Sequence, residues 1–347
     1  MNLKNPDLNK LPRLAIFGAG GLGIEMVALL QKRKAAKLVG ILDKNAYSFN
    51  SNGIDLDLTY KSLSKYKDVN LLENACSTED SIKDFMQKHA KDIDAIFFAL
   101  PNLPNEFIPN ITKYIINETQ YDGVIVDALK RTTAVKMLNE LDSQLKNTNI
   151  LYLTGCGCTP GMLTSAVSLA AQSFVEIKSV KITFGVGIAN WQAYRATIRE
   201  DIAHLKDYNV EKAFKMTEEE IDTLLEQRKG LLELENIEHA DDIMLELAGV
   251  CSADKVSVGG IVDTRNPKKP ISTNVEICGI TYQNKESKHV FTLGDETTMA
   301  ANVNGNVLGF MNAAIVLHNE YGVKGLMTAA EVMPRFAPVN IKCLTKV

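Results

Sequence analysis

The sequence has little that would suit it to a membrane, to nucleic acid or to an oxidising compartment. Its 347 residues include only six cysteines, too few for a disulfide scaffold. With 38 basic and 42 acidic residues, the formal net charge is −4, which indicates no basic surface for nucleic acid or anionic lipid. No apolar run approaches the roughly 18 residues of a membrane span, and residues 1–10 are too polar for a secretory signal. We therefore expect a cytoplasmic protein with a small-molecule substrate.

Metal-binding patterns are also scarce. Cys156 and Cys158 lie two residues apart, but no second cysteine pair or nearby histidine completes a zinc site. The five histidines show neither metal nor triad spacing: His89, His204, His239, His289 and His318. We predict no metal site.

What the chain does contain is an alternation of strand and helix patterns up to about residue 155. Residues 13–17 and 93–100 are apolar runs typical of buried parallel strands. Residues 44–68 are polar and predict mostly loop, and residues 133–145 predict one helix. Beyond about residue 175 strands and helices segregate. The prediction is an α/β fold, a Rossmann doubly wound parallel sheet with a second α+β domain.

A glycine-rich turn follows the first strand and opens a helix. Its first glycine permits a tight turn, the second lets backbone approach a pyrophosphate, and the third allows close packing of helix on sheet. The N–H groups at the helix start favour an anion. The turn therefore predicts a dinucleotide site formed by Gly18, Ala19, Gly20, Gly21, Leu22 and Gly23.

Asp43 ends the second strand, 20 residues after Gly23, which is the spacing expected of an acid that binds the adenosine ribose. A carboxylate there repels a 2′-phosphate and favours NAD over NADP, although adjacent Lys44 partly offsets this repulsion. A glycine turn without a ligand and an S-adenosylmethionine site are the alternative interpretations.

Two further strand ends should meet the same carboxyl edge of the sheet. Leu100, Pro101 and Asn102 end the strongest strand, where they either contact the cofactor or form a simple turn. Asp127 ends the next strand and is a candidate cofactor contact. Lys130 follows it, and we predict that it handles a proton near the reacting group; the alternative is an ordinary solvated lysine.

Two segments are candidates for substrate binding. Cys156 and Gly157 lie in a turn dense in glycine and proline, which should present backbone N–H groups. Tyr194 precedes two arginines, Arg195 and Arg199, which share a helix face and could bind a carboxylate. Because acidic residues follow directly, a surface face of ion pairs is the alternative.

The chain resembles the saccharopine dehydrogenase-like oxidoreductases. Four features carry the resemblance: the opening glycine turn, the strand end at Asp127, the glycine turn at 155–162 and the late segment 296–302. The resemblance implies a Rossmann domain over residues 1–160, a substrate-binding and dimerising α+β domain over 161–295, and a helical segment over 296–347 that returns to the first domain. It also implies a homodimer.

From these patterns we predict an NAD(P)-dependent oxidoreductase. Its reaction would be hydride transfer to or from a small amino-acid-derived imine, amine or carbonyl compound, with the cofactor supplying the chemistry. A non-catalytic NAD(P)-binding redox sensor or scaffold and an S-adenosylmethionine-dependent methyltransferase are the two alternatives.

Overall fold

The computed structural model describes residues 11–188, 191–195, 197–294 and 299–336. The chain forms two compact units. Unit 1 comprises Met1–Met162 and Ala300–Val347, and unit 2 comprises Leu163–Met299. The α/β fold class with a Rossmann-type sheet and a second sheet is confirmed.

Unit 1 contains an eight-stranded sheet flanked by helices. Its strands are β1 (Arg13–Phe17), β2 (Lys37–Asp43), β3 (Ala46–Phe49), β4 (Ala75–Ser77), β5 (Ala95–Phe98), β6 (Val124–Asp127), β7 (Leu151–Thr154) and β13 (Gly325–Thr328). Its helices are α1 (Gly21–Arg33), α2 (Leu56–Tyr66), α3 (Ser81–His89), α4 (Phe107–Glu118), α5 (Thr132–Asn139), α6 (Asp142–Asn147) and all but the first residue of α13 (Met299–Tyr321).

The strand order in this sheet is β13-β7-β6-β5-β1-β2-β3-β4. All pairs from β13 to β2 are parallel, and only β3 and β4 run antiparallel to their neighbours. After β1 the chain forms β2 on one side of that strand, and it later forms β5 on the opposite side of β1. Ligand sites in open α/β sheets lie at the carboxyl ends of the strands beside such a reversal.

Two local predictions were wrong, and one strand was not predicted. The loop predicted at 44–68 contains strand β3 and helix α2, whose start is capped by Asp55. The helix predicted at 133–145 is two helices, α5 and α6. Strand β13, which had no clear pattern in the sequence, extends the sheet beyond β7. Strand β13 forms by pairing with the distant strand β7, which local patterns do not record. The start of α2, in contrast, has a local signal in the Asp55 cap, which was not recognised.

Helix α13 is long and apolar enough over Ala300–Tyr321 to cross a membrane by length and composition, with 44% of its most apolar window buried. The sequence shows no long uninterrupted apolar run here, because asparagines occur among the alanines and glycines of α13. The helix was therefore not recognised as long and apolar enough for a membrane span. Val307, Leu308 and Phe310 are fully buried, as in a core helix of a globular domain, which passes the same test.

Unit 2 contains a five-stranded sheet and a layer of short helices. Its sheet has the order β12-β11-β8-β10-β9, in which only β8 and β10 are parallel neighbours. The strands are β8 (Glu176–Gly187), β9 (Leu231–Leu234), β10 (Val256–Asp263), β11 (Asn274–Ile280) and β12 (Glu286–Thr292). The helices are α7 (Met162–Ala171), α8 (Trp191–Arg195), α9 (Ile198–Ile202), α10 (Val210–Lys215), α11 (Glu218–Gln227) and α12 (Asp241–Leu247).

Replacement of Gly23 by alanine should destabilise unit 1, whereas the same change at Gly21 should not. A Cβ at Gly23 would lie 2.0 Å from the carbonyl oxygen of Gly18, but a Cβ at Gly21 would meet no atom within 4 Å. We expect G23A to lower the free energy of unfolding by about 2 kcal/mol or more, measured by chemical denaturation. Equal stability of the two variants would show that the turn is looser than described.

Candidate active site

Four loops meet at the carboxyl edge of the parallel sheet, after the adjacent strands β1, β5, β6 and β7. We call the group of residues 18–23, 99–106, 128–131 and 155–161 the sheet-edge site. It brings together most of the residues that the sequence predicted as ligand contacts. All of it lies in unit 1.

The first loop is the glycine turn. The amide of Gly18 donates to the carbonyl of Leu42 at 3.0 Å, and a Cβ on Gly18 would lie 2.3 Å from the carbonyl oxygen of Ala99. Gly20 and Gly21 are exposed, and a Cβ on either would meet no atom within 4 Å. No side chain caps the start of α1. The helix therefore presents N–H groups and a partial positive charge across bare backbone, a suitable position for an anionic group.

Helix α13 contacts the glycine turn through a side-chain hydrogen bond. The side-chain amide of Asn304 donates to the carbonyl oxygen of Leu22 at 2.9 Å, although 282 residues separate the two. Asn304 is 1% exposed, and its Oδ1 has no hydrogen-bond partner. This contact was not predicted, because α13 contains several asparagines and the sequence does not show that Asn304 is the buried one.

The predicted residues around the turn differ in exposure. Ala19 is buried, and Leu22 is half-buried. Asp43 and Lys44 are both exposed, with Asp43 Oδ1 accepting from the Lys44 amide at 2.8 Å. Leu100 is half-buried and Pro101 is exposed.

The most connected side chain of the site is Asp127, which is fully buried. Its Oδ1 accepts hydrogen bonds from the amides of Leu129 at 3.0 Å and Gly155 at 2.7 Å. Its Oδ2 accepts from the Tyr152 hydroxyl at 2.8 Å, and the Thr154 hydroxyl lies 3.0 and 3.1 Å from the two oxygens. The carboxylate thus joins the loop after β6 to the loop after β7. Asp127 was predicted as a cofactor contact, and its carboxylate is instead saturated by protein groups.

Burial raises the pKa of Asp127, against the opposing effect of hydrogen bonds from Leu129, Gly155, Tyr152 and Thr154. Desolvation disfavours the charged form, whereas donors to a carboxylate favour it. The sequence could have indicated the partners: Tyr152 and Thr154 are hydroxyl residues two apart on a buried strand, so they share one face of it.

Lys130 lies in the loop that Asp127 anchors. The Lys130 amide donates to Oδ1 of Asn102 at 3.0 Å, and Nε of Arg131 donates to Oδ1 of Asn105 at 3.3 Å. The loop after β5 therefore holds the loop after β6 at two points. Lys130 is half-buried, whereas Arg131 is 8% exposed. Asn102 was predicted as a ligand contact, and its observed role is to position this backbone.

The turn at 155–161 closes tightly on itself. The Met162 amide donates to the carbonyl oxygen of Gly157 at 3.0 Å, and a Cβ on Gly161 would lie 1.9 Å from the same oxygen. Cys156 is fully buried, its thiol lies 3.2 Å from the carbonyl oxygen of Leu153, and burial raises its pKa well above the usual value. Such a thiol is protonated and shielded, so Cys156 has neither the charge nor the access of a nucleophile.

The other three predicted substrate residues lie in unit 2. The Tyr194 hydroxyl donates to Asp201 at 2.6 Å, and burial raises the tyrosine's pKa. The shared helix face predicted for Arg195 and Arg199 is not formed, because Arg195 ends α8 and Arg199 lies in α9; both contact the carboxylate of Glu218. Among the described residues no group of three or more metal-ligating side chains is placed to hold an ion.

Substitution of Asp127 should separate hydrogen bonding from charge. D127L would leave buried donors of Leu129 and Gly155 unpaired, and we expect it to lower the free energy of unfolding by about 3 kcal/mol or more. D127N keeps one acceptor oxygen and should cost less.

The charge of Asp127 should be visible in the pH dependence of stability. Because its folded pKa is raised, the wild type should lose free energy of unfolding relative to D127N as pH rises from about 4 through the folded pKa. Parallel denaturation series of both proteins measure this difference. If the wild type instead gained free energy of unfolding relative to D127N as pH rises, the hydrogen bonds to Asp127 would outweigh its desolvation.

Solved structures with a similar fold are mostly dehydrogenases. An engineered D-amino acid dehydrogenase bound to NADP+ is 17% identical, with a TM-score of 0.55 over 97% of this chain and 99% of that one. The diaminopimelate dehydrogenase of C. glutamicum in complex with DAP is 18% identical, with a TM-score of 0.55 over 96% and 98%. Saccharopine dehydrogenase of Saccharomyces cerevisiae is 11% identical, with a TM-score of 0.56 over 92% and 94%. At such identities the likeness shows the fold alone.

No family model matches the chain. A curated protein does: (S)-8-amino-7-oxononanoate synthase BioU of Haloferax mediterranei is 37% identical over 350 aligned positions. The match covers 93% of this chain and 98% of the relative.

This relative overturns the family and function predicted from the sequence. The saccharopine dehydrogenase-like assignment is wrong, and so is the NAD(P)-dependent oxidoreductase with its sensor and methyltransferase alternatives. The prediction of NAD or NADP falls with it, since the neighbour bound to NADP+ is 17% identical and shows the fold alone. The glycine turn led to this error because it is a property of the fold, which serves many reactions. That the chain is an enzyme is retained: it belongs to the family of (S)-8-amino-7-oxononanoate synthase BioU.

Proposed function

We propose that this enzyme forms (S)-8-amino-7-oxononanoate. The observation that carries the proposal is the identity of 37% over 93% of the chain and 98% of the relative of that name. At this coverage the match extends over both units. The proposal therefore concerns the whole chain and not a shared cofactor domain.

The product's name defines the chemical groups that the enzyme must handle. It is a nine-carbon acid with a carboxylate at one end, and a ketone and an amine on neighbouring carbons near the other. A site for the end that carries the ketone and the amine needs donors to the keto oxygen and a group that transfers protons to or from the nitrogen. A separate cationic group suits the carboxylate.

We assign Lys130 to the end of the product that carries the ketone and the amine. It lies at the sheet-edge site, is half-buried, and has its backbone fixed by Asn102. A lysine ammonium can donate a hydrogen bond or a proton to a keto oxygen. Asp127 acts as a positioning residue, because it holds the backbone at Leu129, next to Lys130.

The turn at Gly20 and Gly21 offers a second element of recognition. Its exposed backbone and the N-terminus of α1 suit an anionic group of a reactant. The cytoplasm remains our proposed location, which the burial of the apolar face of α13 supports.

The assembly that we propose is a homodimer. Strand β12 ends the sheet of unit 2 and leaves Val290 54% and Phe291 44% exposed, and such an edge strand is commonly covered by another chain. Light scattering of the purified protein should give about twice the chain mass of 38.2 kDa. A mass of one chain at micromolar concentration would contradict the dimer.

The proposed activity can be tested in cells. The chain should restore (S)-8-amino-7-oxononanoate, detected by mass spectrometry, in a bacterial strain whose own synthase gene is deleted. K130A should lower the product by about 100-fold or more, because proton transfer by a positioned side chain typically contributes that much.

K136A is the matched control. Lys136 is an exposed lysine of helix α5, six positions after Lys130, and its loss should leave the product level unchanged. Absence of product from the wild type, with soluble protein present, would refute the proposed reaction. Equal product from K130A and K136A would refute only the role of Lys130.

A further inference from the structure

Asn304 of helix α13 carries a buried polar atom that the fold leaves unused. The residue is 1% exposed, and among the side chains that the structure describes its Oδ1 is the only buried nitrogen or oxygen atom without a hydrogen-bond partner. Native proteins contain few such atoms, because a buried acceptor without a donor destabilises the fold. Bound water, strain or a role in ligand binding can account for one, and the position of Asn304 favours ligand binding.

The orientation of the Asn304 amide follows from its one hydrogen bond. Nδ2 donates to the carbonyl oxygen of Leu22 at 2.9 Å. A carbonyl oxygen only accepts hydrogen bonds, so the amide nitrogen must face Leu22 and the amide oxygen must face away from it. Exchange of the two atoms would place two acceptors against each other. Oδ1 is therefore the atom of this side chain that remains available to a donor.

The contacts of α13 place Asn304 at the sheet-edge site. Leu22, its partner, belongs to the glycine turn after β1. The preceding residue, Val303, lies between two other loops of the site: its Cγ1 and the Cβ of Ala128 would each lie 3.7 Å from a Cβ on Gly157. Two consecutive residues of α13 thus contact the loops that follow β1, β6 and β7. All of these residues belong to unit 1.

Other acceptor side chains at this edge are engaged by protein donors. Oδ1 of Asp127 accepts from two backbone amides and Oδ2 accepts from a tyrosine hydroxyl. Oδ1 of Asn102 accepts from the Lys130 amide. The start of α1 and the Lys130 ammonium group, in contrast, offer donors. A ligand that carries both an acceptor and a donor therefore finds donors in these groups and a matching acceptor in Asn304.

We propose that Oδ1 of Asn304 accepts a hydrogen bond from the amine of the enzyme's amino ketone. The inference rests on the proposed function, which supplies a ligand with an amine next to a ketone. The terminal torsion of an asparagine side chain is broad, so Oδ1 can turn toward the amine while Nδ2 stays beside Leu22. Asn304 then binds the amine, and Lys130 donates to the neighbouring keto oxygen.

Titration calorimetry on the full chain tests this contact with two ligands, (S)-8-amino-7-oxononanoate and 7-oxononanoate, which lacks the amine. The wild type should bind the amino ketone more tightly. N304A should lower the affinity for the amino ketone by about 10-fold to 100-fold, the range of a hydrogen bond to a charged group. The affinity for 7-oxononanoate should change far less. A purely structural role would weaken both ligands equally, so the ratio of the two affinities decides.

Two further variants of Asn304 and one control complete the series. N304D keeps an oxygen acceptor but lacks the donor to Leu22, so it should retain the preference for the amino ketone. N304L, which fills more of the space of the amide, replaces N304A if thermal melting shows N304A to be unfolded. N312A is the matched control, because Asn312 of α13 donates to the Leu308 carbonyl of its own helix at 2.7 Å. It should bind both ligands as the wild type does.

An unchanged ratio of affinities in N304A would overturn the inference, since Asn304 would then only support the turn or bind water. A wild type that does not prefer the amino ketone, or that binds neither ligand, would overturn it as well. Product formation in the deletion strain is scored separately. Product with an unchanged ratio in N304A refutes this inference alone, whereas the expected loss of preference without product refutes only the proposed reaction.

Discussion

A single buried carboxylate organises the carboxyl edge of the parallel sheet. Asp127 ends strand β6 and accepts hydrogen bonds from Leu129 in its own loop and from Tyr152, Thr154 and Gly155 on the next strand and its turn. Removing such a group from water is costly unless its acceptors are satisfied, and here four groups satisfy them. The loops that carry Lys130 and the turn at 155–161 thereby share one anchor, so the geometry of the candidate active site depends on it.

Proteins that share this fold have different activities. Dehydrogenases with TM-scores of 0.55 share the fold, yet the relative at 37% identity is a synthase. In this chain the glycine turn leaves bare backbone at the N-terminus of α1, which suits an anionic group. The reaction must therefore be assigned from side chains near that backbone, and Lys130 is the one that we propose.

Features that depend on neighbouring residues could be predicted from the sequence. The glycine turn at 18–23 and the capping box of Thr217 and Glu220 are of this kind, because their geometry follows from a few adjacent side chains. Contacts between distant residues could not: Asn304 reaches Leu22 across 282 positions, and Asp127 meets Tyr152 across 25. The spacing of Arg195 and Arg199 predicted one shared helix face, but the two residues belong to separate short helices, α8 and α9. It could not predict that both would contact Glu218, 23 residues after Arg195.

Hydrogen–deuterium exchange of the wild type and D127L, which removes both acceptor oxygens, tests most directly whether one carboxylate holds the site together. If Asp127 anchors both loops, the variant should exchange faster in peptides covering 128–131 and 155–161, while α1 (Gly21–Arg33) on the same sheet keeps its protection. Unchanged exchange in both loops would contradict this account. A uniform increase over unit 1 would contradict it as well, since Asp127 would then stabilise the fold and not the site.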